Sequence, residues 1–350
     1  MLSRQIGIFT AATIFLATGP ATAQELKAYP GMNDIAPPLT HIEKYAPVLD
    51  MSRGLPIDPD KGYTVEDFGA GVFFVTEGVY QVMFVRTDDG LILVDAPPNI
   101  GDKLLAAAAE IAPDASITHL VYSHAHVDHI GFASSIVEAF PEVEIIGHEE
   151  TAAILSRAED ARRPSPTTTF NGETHQLVAG GQTLDLTYSG PNHQDGNIEI
   201  WHADSRTLML VDVVFPGWMM WRRIALAEDI PGTFDLIRGL SERYDFENLI
   251  AGHVGRPGTK EDLETQVEFM VDLHNAAGTA LGSVTPGEGV DPADLNNPWA
   301  VFDHYIDRVV IECVNALTPK WRDRMSGFDV FIYDQCLAME QSIRVDGPSL

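Results

Sequence analysis

Three histidines and an aspartate fall within six residues of this chain, in the run His-Ala-His-Val-Asp-His. The run follows residues 119–123, whose apolar side chains predict a strand. Imidazole is only intermediate in its tendency to be buried, so a core seldom places three histidines together. Alternate residues of an extended segment point the same way, so His124 and His126 can hold one ion, and a turn brings Asp128 and His129 towards a second. The run therefore predicts a metal centre at a strand end, with a polar surface loop as the alternative.

This run resembles the HxHxDH signature of the metallo-β-lactamase superfamily, whose members add single ligands further along the chain. Three such residues are present, each just after a predicted strand: His193, Asp212 and His253. The full ligand set that the resemblance implies has three parts: a first metal on His124, His126 and His193, a second on Asp128, His129 and His253, and a bridge by Asp212. The resemblance covers about residues 63–275 and includes neither end of the chain.

Imidazole and carboxylate ligands suit zinc, although manganese, iron or cobalt can bind the same groups. We therefore expect two divalent metal ions, with zinc first. The implied catalytic residues are Asp212, which holds both ions, and Asp128, which could also pass a proton to the leaving group. Asp95 matches a family position that often hydrogen-bonds the metal loop from outside the ligand set. The alternative for Asp95 is an ordinary turn residue.

The bridging Asp212 narrows the class of hydrolase, since the metallo-β-lactamases proper usually have Cys or Ser there. Aspartate is shared by lactonases, glyoxalase II-like thioesterases, phosphodiesterases and phosphotriesterases, and the ligand spacings are most similar to those of the lactonases. One departure is Phe215, because the lactonases often have a tyrosine at this place. Trp218 and Trp221 follow it, so Phe215, Trp218 and Trp221 are candidates for an apolar substrate wall. The alternative is that they simply pack the core.

We expect an exported dinuclear hydrolase of a neutral hydrophobic ester, with a lactone as the first choice. A phosphotriesterase or arylesterase of the same fold is one alternative, and a periplasmic accessory protein that binds metal without turnover is another. The formal net charge of −29 repels phosphate backbones and anionic membrane surfaces. The expected partner is therefore a small hydrophobic molecule and not a nucleic acid. Self-association into a homo-oligomer is left open.

Residues 1–23 have the order of a signal peptide. Arg4 lies near the start, residues 6–18 are apolar, and Ala21-Thr22-Ala23 precedes the expected cleavage point. The apolar run is shorter than the about 20 residues that span a bilayer, and no later segment is long enough to do so. We therefore expect a periplasmic or secreted protein without a membrane span.

Four segments follow from these patterns and the resemblance: the signal peptide at 1–23, an extended N-terminal arm at 24–61, a catalytic domain at 62–282, and a linker with a helical hairpin at 283–350. Strand-like and helical runs of the catalytic domain predict an α/β fold, an αββα sandwich of two sheets between helices. The chain has only two cysteines, Cys313 and Cys336, one on the apolar face of each hairpin helix. Export favours a disulfide between them, and two buried free thiols are the alternative.

Overall fold

The computed structural model describes residues 45–347, so the predicted signal peptide and residues 24–44 of the predicted arm lie outside the described part. Within that part the chain forms two β-sheets. The first sheet has its strands in chain order: β1 (Thr64–Gly69), β2 (Val72–Thr76), β3 (Gln81–Thr87), β4 (Gly90–Val94), β5 (Ile117–Val121), β6 (Glu144–His148) and β7 (Thr168–Phe170). The second sheet runs in the order β12 (Asn248–Ile250), β11 (Thr207–Met209), β10 (Glu199–His202), β9 (Gln182–Thr187) and β8 (Thr174–Ala179).

Helices lie outside the two sheets. The helices before the C-terminal hairpin are α1 (Lys103–Ile111), α2 (Val127–Ile130), α3 (Ala133–Ala139), α4 (Glu149–Ala158), the single turn α5 (Arg222–Leu226), α6 (Ile230–Arg243) and α7 (Lys260–Ser283). Two more, α8 (Pro298–Trp321) and α9 (Phe328–Val345), form the C-terminal hairpin. The predicted αββα fold with a helical hairpin is confirmed.

Alternation along the strands explains the layering. In β2, Val72 and Phe74 face the second sheet and meet side chains such as Leu184 there. Phe73 and Val75 of the same strand face the opposite way and pack with α1 and α3. Because every residue of β2 is buried, the strand is a continuous apolar run, as expected for a central strand covered on both faces.

The outer face of the second sheet shares one apolar core with the C-terminal helices. Leu208 of β11, Leu249 of β12 and the fully buried Trp321 of α8 belong to the same cluster. Helix α7 begins at a capping box in which the Thr259 side chain accepts a hydrogen bond from the Asp262 amide, an arrangement that satisfies free N–H groups at the helix start. The hairpin is therefore packed into the sandwich by way of α7.

The sulfur atoms of Cys313 and Cys336 are joined in a disulfide that connects α8 to α9, with the two Cα atoms 6.0 Å apart. Both residues are fully buried in the core that the hairpin shares with the second sheet. Among the helices of residues 45–347, none is both long enough and apolar enough to cross a bilayer.

The turn α5 winds left-handed. Arg223, Ile224, Ala225 and Leu226 have φ between 52° and 58°. This conformation costs about 1–2 kcal/mol per residue for L-amino acids, and a β-branched residue such as Ile224 rarely adopts it. Contacts from elsewhere in the fold must therefore hold this turn.

Candidate metal centre

Loops at one edge of the two sheets supply the histidines and aspartates that the sequence singles out. His124 and His126 follow β5, and the short helix α2 then presents Asp128 and His129. The other three residues, His193, Asp212 and His253, come from loops that follow β9, β11 and β12. Strands β11 and β12 are parallel neighbours, so the loops after them meet at the same edge of the sheet.

The first group joins His124, His126, His193 and Asp212, with one ligand atom of each within 4.8 Å of all the others. His126 Nδ1 is 3.0 Å from His193 Nε2. Asp212 Oδ2 lies 3.3 Å from His193 Nε2 and 3.8 Å from His124 Nε2. These donors converge on a single point, as the ligands of one ion do.

The second group joins Asp128, His129 and His253 under the same distance limit. His129 Nε2 is 3.1 Å from His253 Nε2. The carboxylate of Asp212 also reaches this group, since Oδ2 is 3.1 Å from His129 Nε2 and Oδ1 is 3.1 Å from His253 Nε2. Asp212 therefore lies between the two groups, where a bridging ligand has to be.

The residues present fit metal ions. His124 Nε2 is buried and has no hydrogen-bond partner among residues 45–347, although it faces Asp212. Burial lowers the pKa of His124 well below its usual value and lowers that of His193 to about 4. Both rings are then neutral at neutral pH and offer a lone pair, the form in which imidazole binds a metal. The His/Asp cluster is consistent with the dinuclear site of this kind of fold.

Buried groups behind the cluster orient the rings. Asp95 accepts hydrogen bonds from the Ser123 amide at 2.8 Å and the Ser123 hydroxyl at 2.7 Å. The Ser123 oxygen is in turn 2.9 Å from His124 Nδ1, which leaves Nε2 of that ring facing the cluster. On the opposite side, His193 Nδ1 donates to the Ala225 carbonyl at 2.7 Å. Such partners fix the tautomer and direction of a metal-binding imidazole.

The backbone at the site takes conformations that non-glycine residues rarely adopt. Asp95 and Asp212 have φ of 64° and 62°, and such residues concentrate at functional sites. Gly252, just before His253, has φ of 87°, and a Cβ there would lie 2.5 Å from Val211 Cγ1 and 3.2 Å from His129 Cε1. Glycine at position 252 therefore allows the His253 loop to approach His129.

A cavity of about 610 Å³ opens onto the cluster, and His126, Asp128, His193, Asp212 and His253 line it. The three residues named as a substrate wall, Phe215, Trp218 and Trp221, line the same cavity. The Trp221 side chain is 49% exposed. Trp218 is also tied to the N-terminal segment, because its indole N–H donates to the Ser52 carbonyl at 2.8 Å. The cavity is thus lined both by candidate metal ligands and by apolar rings.

Tyr80 also belongs to this site. Its hydroxyl donates to Asp128 Oδ2 at 3.3 Å, its ring centroid is 4.5 Å from that of His253, and it lines the cavity. Leu226 of α5 and Phe331 of α9 line the cavity too. No local pattern indicates these residues, since each reaches the cavity through contacts between distant parts of the chain.

The model of the metallo-beta-lactamase superfamily matches residues 75–277. The chain belongs to this superfamily, whose members are metal-dependent hydrolases. Among solved structures, a metallo-beta-lactamase from Pontibacter korlensis superposes with a TM-score of 0.51 at 19% identity, over 60% of this chain and 99% of that one. At that identity the likeness shows the fold alone.

Two relatives whose names describe an activity are similar to this chain in sequence. The 2,4-dinitroanisole O-demethylase subunit alpha of Nocardioides sp. (strain JS1661) is 29% identical over 70% of this chain and 75% of its own length. A hydroxyacylglutathione hydrolase of Synechococcus sp. (strain JA-2-3B'a(2-13)) is 23% identical over 59% of this chain and 78% of its own. The relatives therefore act on different substrates.

Replacement of Asp212 by alanine is expected to lower the metal content from two ions per chain towards one, because Asp212 contacts both groups. Asp212→Asn, which keeps the shape of the side chain, should also lower the metal content. Elemental analysis of purified protein measures the ratio, and Asp185→Ala, on β9, is the matched control. Two ions per chain in the Asp212 variants would show that Asp212 does not bridge.

Proposed function

We propose that the chain is a dinuclear metal-dependent hydrolase that cleaves a carbon–oxygen bond of a small, neutral, hydrophobic substrate. The observation on which this rests is the cavity of about 610 Å³, in which the His/Asp cluster faces Phe215, Trp218 and Trp221. Aromatic and apolar walls bind uncharged organic groups, while a few convergent polar groups orient the reacting atoms. The net charge of −29 further disfavours anionic substrates.

Esters, and lactones first, are the substrate class that we propose. Two divalent ions held by the His/Asp cluster would lower the pKa of bound water to about 7 and so supply hydroxide at neutral pH. The chain's own residues hold the reacting groups in place: the aromatic wall takes the apolar part of the ester, and Tyr80 offers a hydroxyl beside Asp128. Water is added across the acyl carbon–oxygen bond, which yields a carboxylic acid and an alcohol within one ring-opened product for a lactone.

Tyr80 is relevant to the comparison with the lactonases because its side chain has a hydroxyl near the cluster. Phe215 cannot supply the hydroxyl that the lactonases often have at that place, and its ring instead stacks on His253 at 6.4 Å between centroids. Tyr80, which directly precedes β3, lines the cavity and contacts Asp128. We propose that its hydroxyl, which donates to Asp128 Oδ2 in this structure, turns to donate to a substrate oxygen when substrate binds.

An aryl methyl ether is the second candidate, favoured by the relative whose name describes O-demethylation of 2,4-dinitroanisole. That substrate is neutral and aromatic, as the cavity walls would require. Addition of water to such an ether yields a phenol and methanol, so the same cluster could serve either reaction. The ester and the ether differ in their products, which makes them easy to separate by assay.

We also propose export to the periplasm or the medium. The order of charged, apolar and small residues over 1–23 supports it, and so does the Cys313–Cys336 disulfide, because disulfides persist in oxidising compartments. Mass determination of the protein from a cell fraction tests the proposal. A chain that begins at Gln24 in the periplasmic fraction is the expected result, and a full-length cytosolic chain would refute it.

A hydrolysis panel on metal-analysed protein tests the proposed activity. The panel contains an alkyl lactone, an aryl ester, 2,4-dinitroanisole, a phosphotriester, a thioester and a β-lactam. Turnover of the lactone, the aryl ester or the ether above the others is the expected result. Cleavage of the β-lactam or the phosphotriester alone would overturn the proposal, and no turnover at full metal content would favour an accessory protein.

Tyr80→Phe is expected to lower kcat/KM about 10-fold, since a hydrogen bond to a charged group is worth about 1.5–3 kcal/mol. Tyr80 is outside both ligand groups, but its hydroxyl contacts the candidate ligand Asp128, so elemental analysis of the variant separates a loss of metal from the loss of the donor. Tyr63→Phe is the control, as it removes a hydroxyl that donates to Glu110 Oε2 at 3.0 Å. Steady-state kinetics on the best substrate of the panel measures the effect, and unchanged kinetics would exclude Tyr80 from the reaction.

A further inference from the structure

The C-terminal helix α9 lies beyond the part of the chain that the superfamily model matches, which ends at residue 277. Even so, Phe331 of α9 lines the cavity that opens onto the His/Asp cluster. Gly327, just before the helix, packs its Cα region against the Trp218 ring, since a Cβ there would lie 3.6 Å from Trp218 Cε3. Helix α9 thus meets the aromatic wall directly.

A second contact joins α9 to the left-handed turn α5. Gln335 is fully buried, and its amide nitrogen donates to the Met220 carbonyl at 2.6 Å and the Trp221 carbonyl at 3.0 Å. Its amide oxygen accepts from the Ile224 N–H at 2.7 Å. One side chain therefore satisfies three backbone groups at the start of α5.

These bonds hold the turn whose own conformation is unfavourable. The turn places Trp221, Ala225 and Leu226 along the cavity, and its Ala225 carbonyl accepts the hydrogen bond from His193 Nδ1. A continuous path of contacts thus runs from Gln335 to the backbone of α5 and on to a residue of the metal cluster. At the surface, Arg222 pairs with Asp334 of α9 at 2.6 Å.

We infer that α9 is a wall of the substrate pocket, in which Phe331 determines how large an apolar group the pocket accepts and Gln335 is a positioning residue for α5. The inference deepens the proposed function, on whose substrate class it rests. Phe331 and Gln335 are four residues apart and so lie on the same face of the helix. The hairpin then adds a specificity element to a shared catalytic fold.

Phe331→Ala tests the specificity claim. Removal of the ring should raise kcat/KM for a bulky aryl ester relative to a small one by about 10-fold, the scale by which apolar pockets discriminate size. Val330→Ala is the matched control, since Val330 is the neighbouring α9 residue and is 37% exposed. An unchanged ratio between the two esters would overturn the role of Phe331.

A binding measurement keeps this inference apart from the proposed activity. Quenching of tryptophan fluorescence by 4-nitroanisole reports occupancy of the wall that contains Trp218 and Trp221 and needs no turnover. Phe331→Ala should shift the Kd of this probe, whereas Val330→Ala should not. If the protein turns over nothing and the Kd still shifts, the proposed function fails and the pocket wall stands; an equal Kd in all three proteins would refute the wall.

Gln335→Leu tests the positioning claim. Without the three hydrogen bonds, α5 should open and trypsin should cut after Arg222 or Arg223 faster than in the wild type. Gln341→Leu, the same change further along α9, is the control. Circular dichroism shows whether each variant is folded; if Gln335→Leu does not fold, Gln335→Glu retains the acceptor, loses the donor and is used in its place. Equal cleavage rates in folded proteins would overturn the positioning role.

Discussion

His124→Ala is expected to lose bound metal and to reduce kcat/KM by at least about 100-fold, since even the partners behind metal ligands are each worth about 10–100-fold. His124 Nε2 is buried, faces Asp212 and has no hydrogen-bond partner within the described part of the chain. Its other nitrogen is held by Ser123, so the orientation of the ring is fixed. His126→Ala should behave in the same way.

Two measurements separate this outcome from general damage. Elemental analysis gives ions per chain, and thermal unfolding shows that the variant is still folded. His304→Ala is the control, because its ring contacts the Glu288 carbonyl and belongs to neither ligand group. Full metal content with full activity in His124→Ala would remove this residue from the centre.

The double variant Cys313→Ala/Cys336→Ala is expected to lose about 3 kcal/mol of unfolding free energy, the amount by which closing a loop of roughly this size restricts the unfolded chain. Both sulfur atoms lie in the core shared by α8, α9 and the second sheet, so the loss of packing adds to the effect. Denaturant titration of oxidised protein measures the free energy of unfolding.

Reduced wild-type protein provides the comparison, since it lacks the covalent link and keeps both side chains. Its stability should fall between those of the oxidised wild type and the double variant. Thiol titration of denatured, unreduced protein should find no free thiols. Two free thiols per chain would contradict the disulfide, and equal stability of all three forms would contradict its energetic role.

Local patterns predicted most of the sandwich. The runs at 72–76 and 90–94 are apolar and bounded by turn residues, and the strands that they predict have the bounds of β2 and β4. No strand is predicted at 174–179, where β8 lies, since only Leu177 of its six residues is buried and its polar face resembles a loop. The Pro- and Thr-rich stretch 162–169 predicts a loop, although β7 begins at Thr168, because Thr168 and Thr169 are not buried.

The first four candidate ligands stand in one run, so the sequence predicts a metal centre there, and the resemblance to the superfamily implies the other three. Phe215, Trp218 and Trp221 are also singled out by the sequence and line the cavity, whereas Tyr80 and the wall residues of α5 and α9 are indicated by no local pattern. Tyr80 reaches Asp128 from 48 residues away, and Gln335 reaches Ile224 from 111 residues away. The left-handed conformation of α5 opposes the intrinsic preference of Ile224, so tertiary contacts, among them those of Gln335 and His193, must hold it. Propensity predicts elements, whereas these contacts depend on how the elements assemble.

The position of α9 has a consequence for the order in which the protein matures. All seven candidate ligands lie between His124 and His253, so they leave the ribosome well before Phe331 and Gln335 do. A nascent or proteolytically shortened chain can therefore contain every metal-binding group and still lack one wall of its pocket. The selectivity that we infer for Phe331 would then depend on the docking of α9 against the rest of the fold.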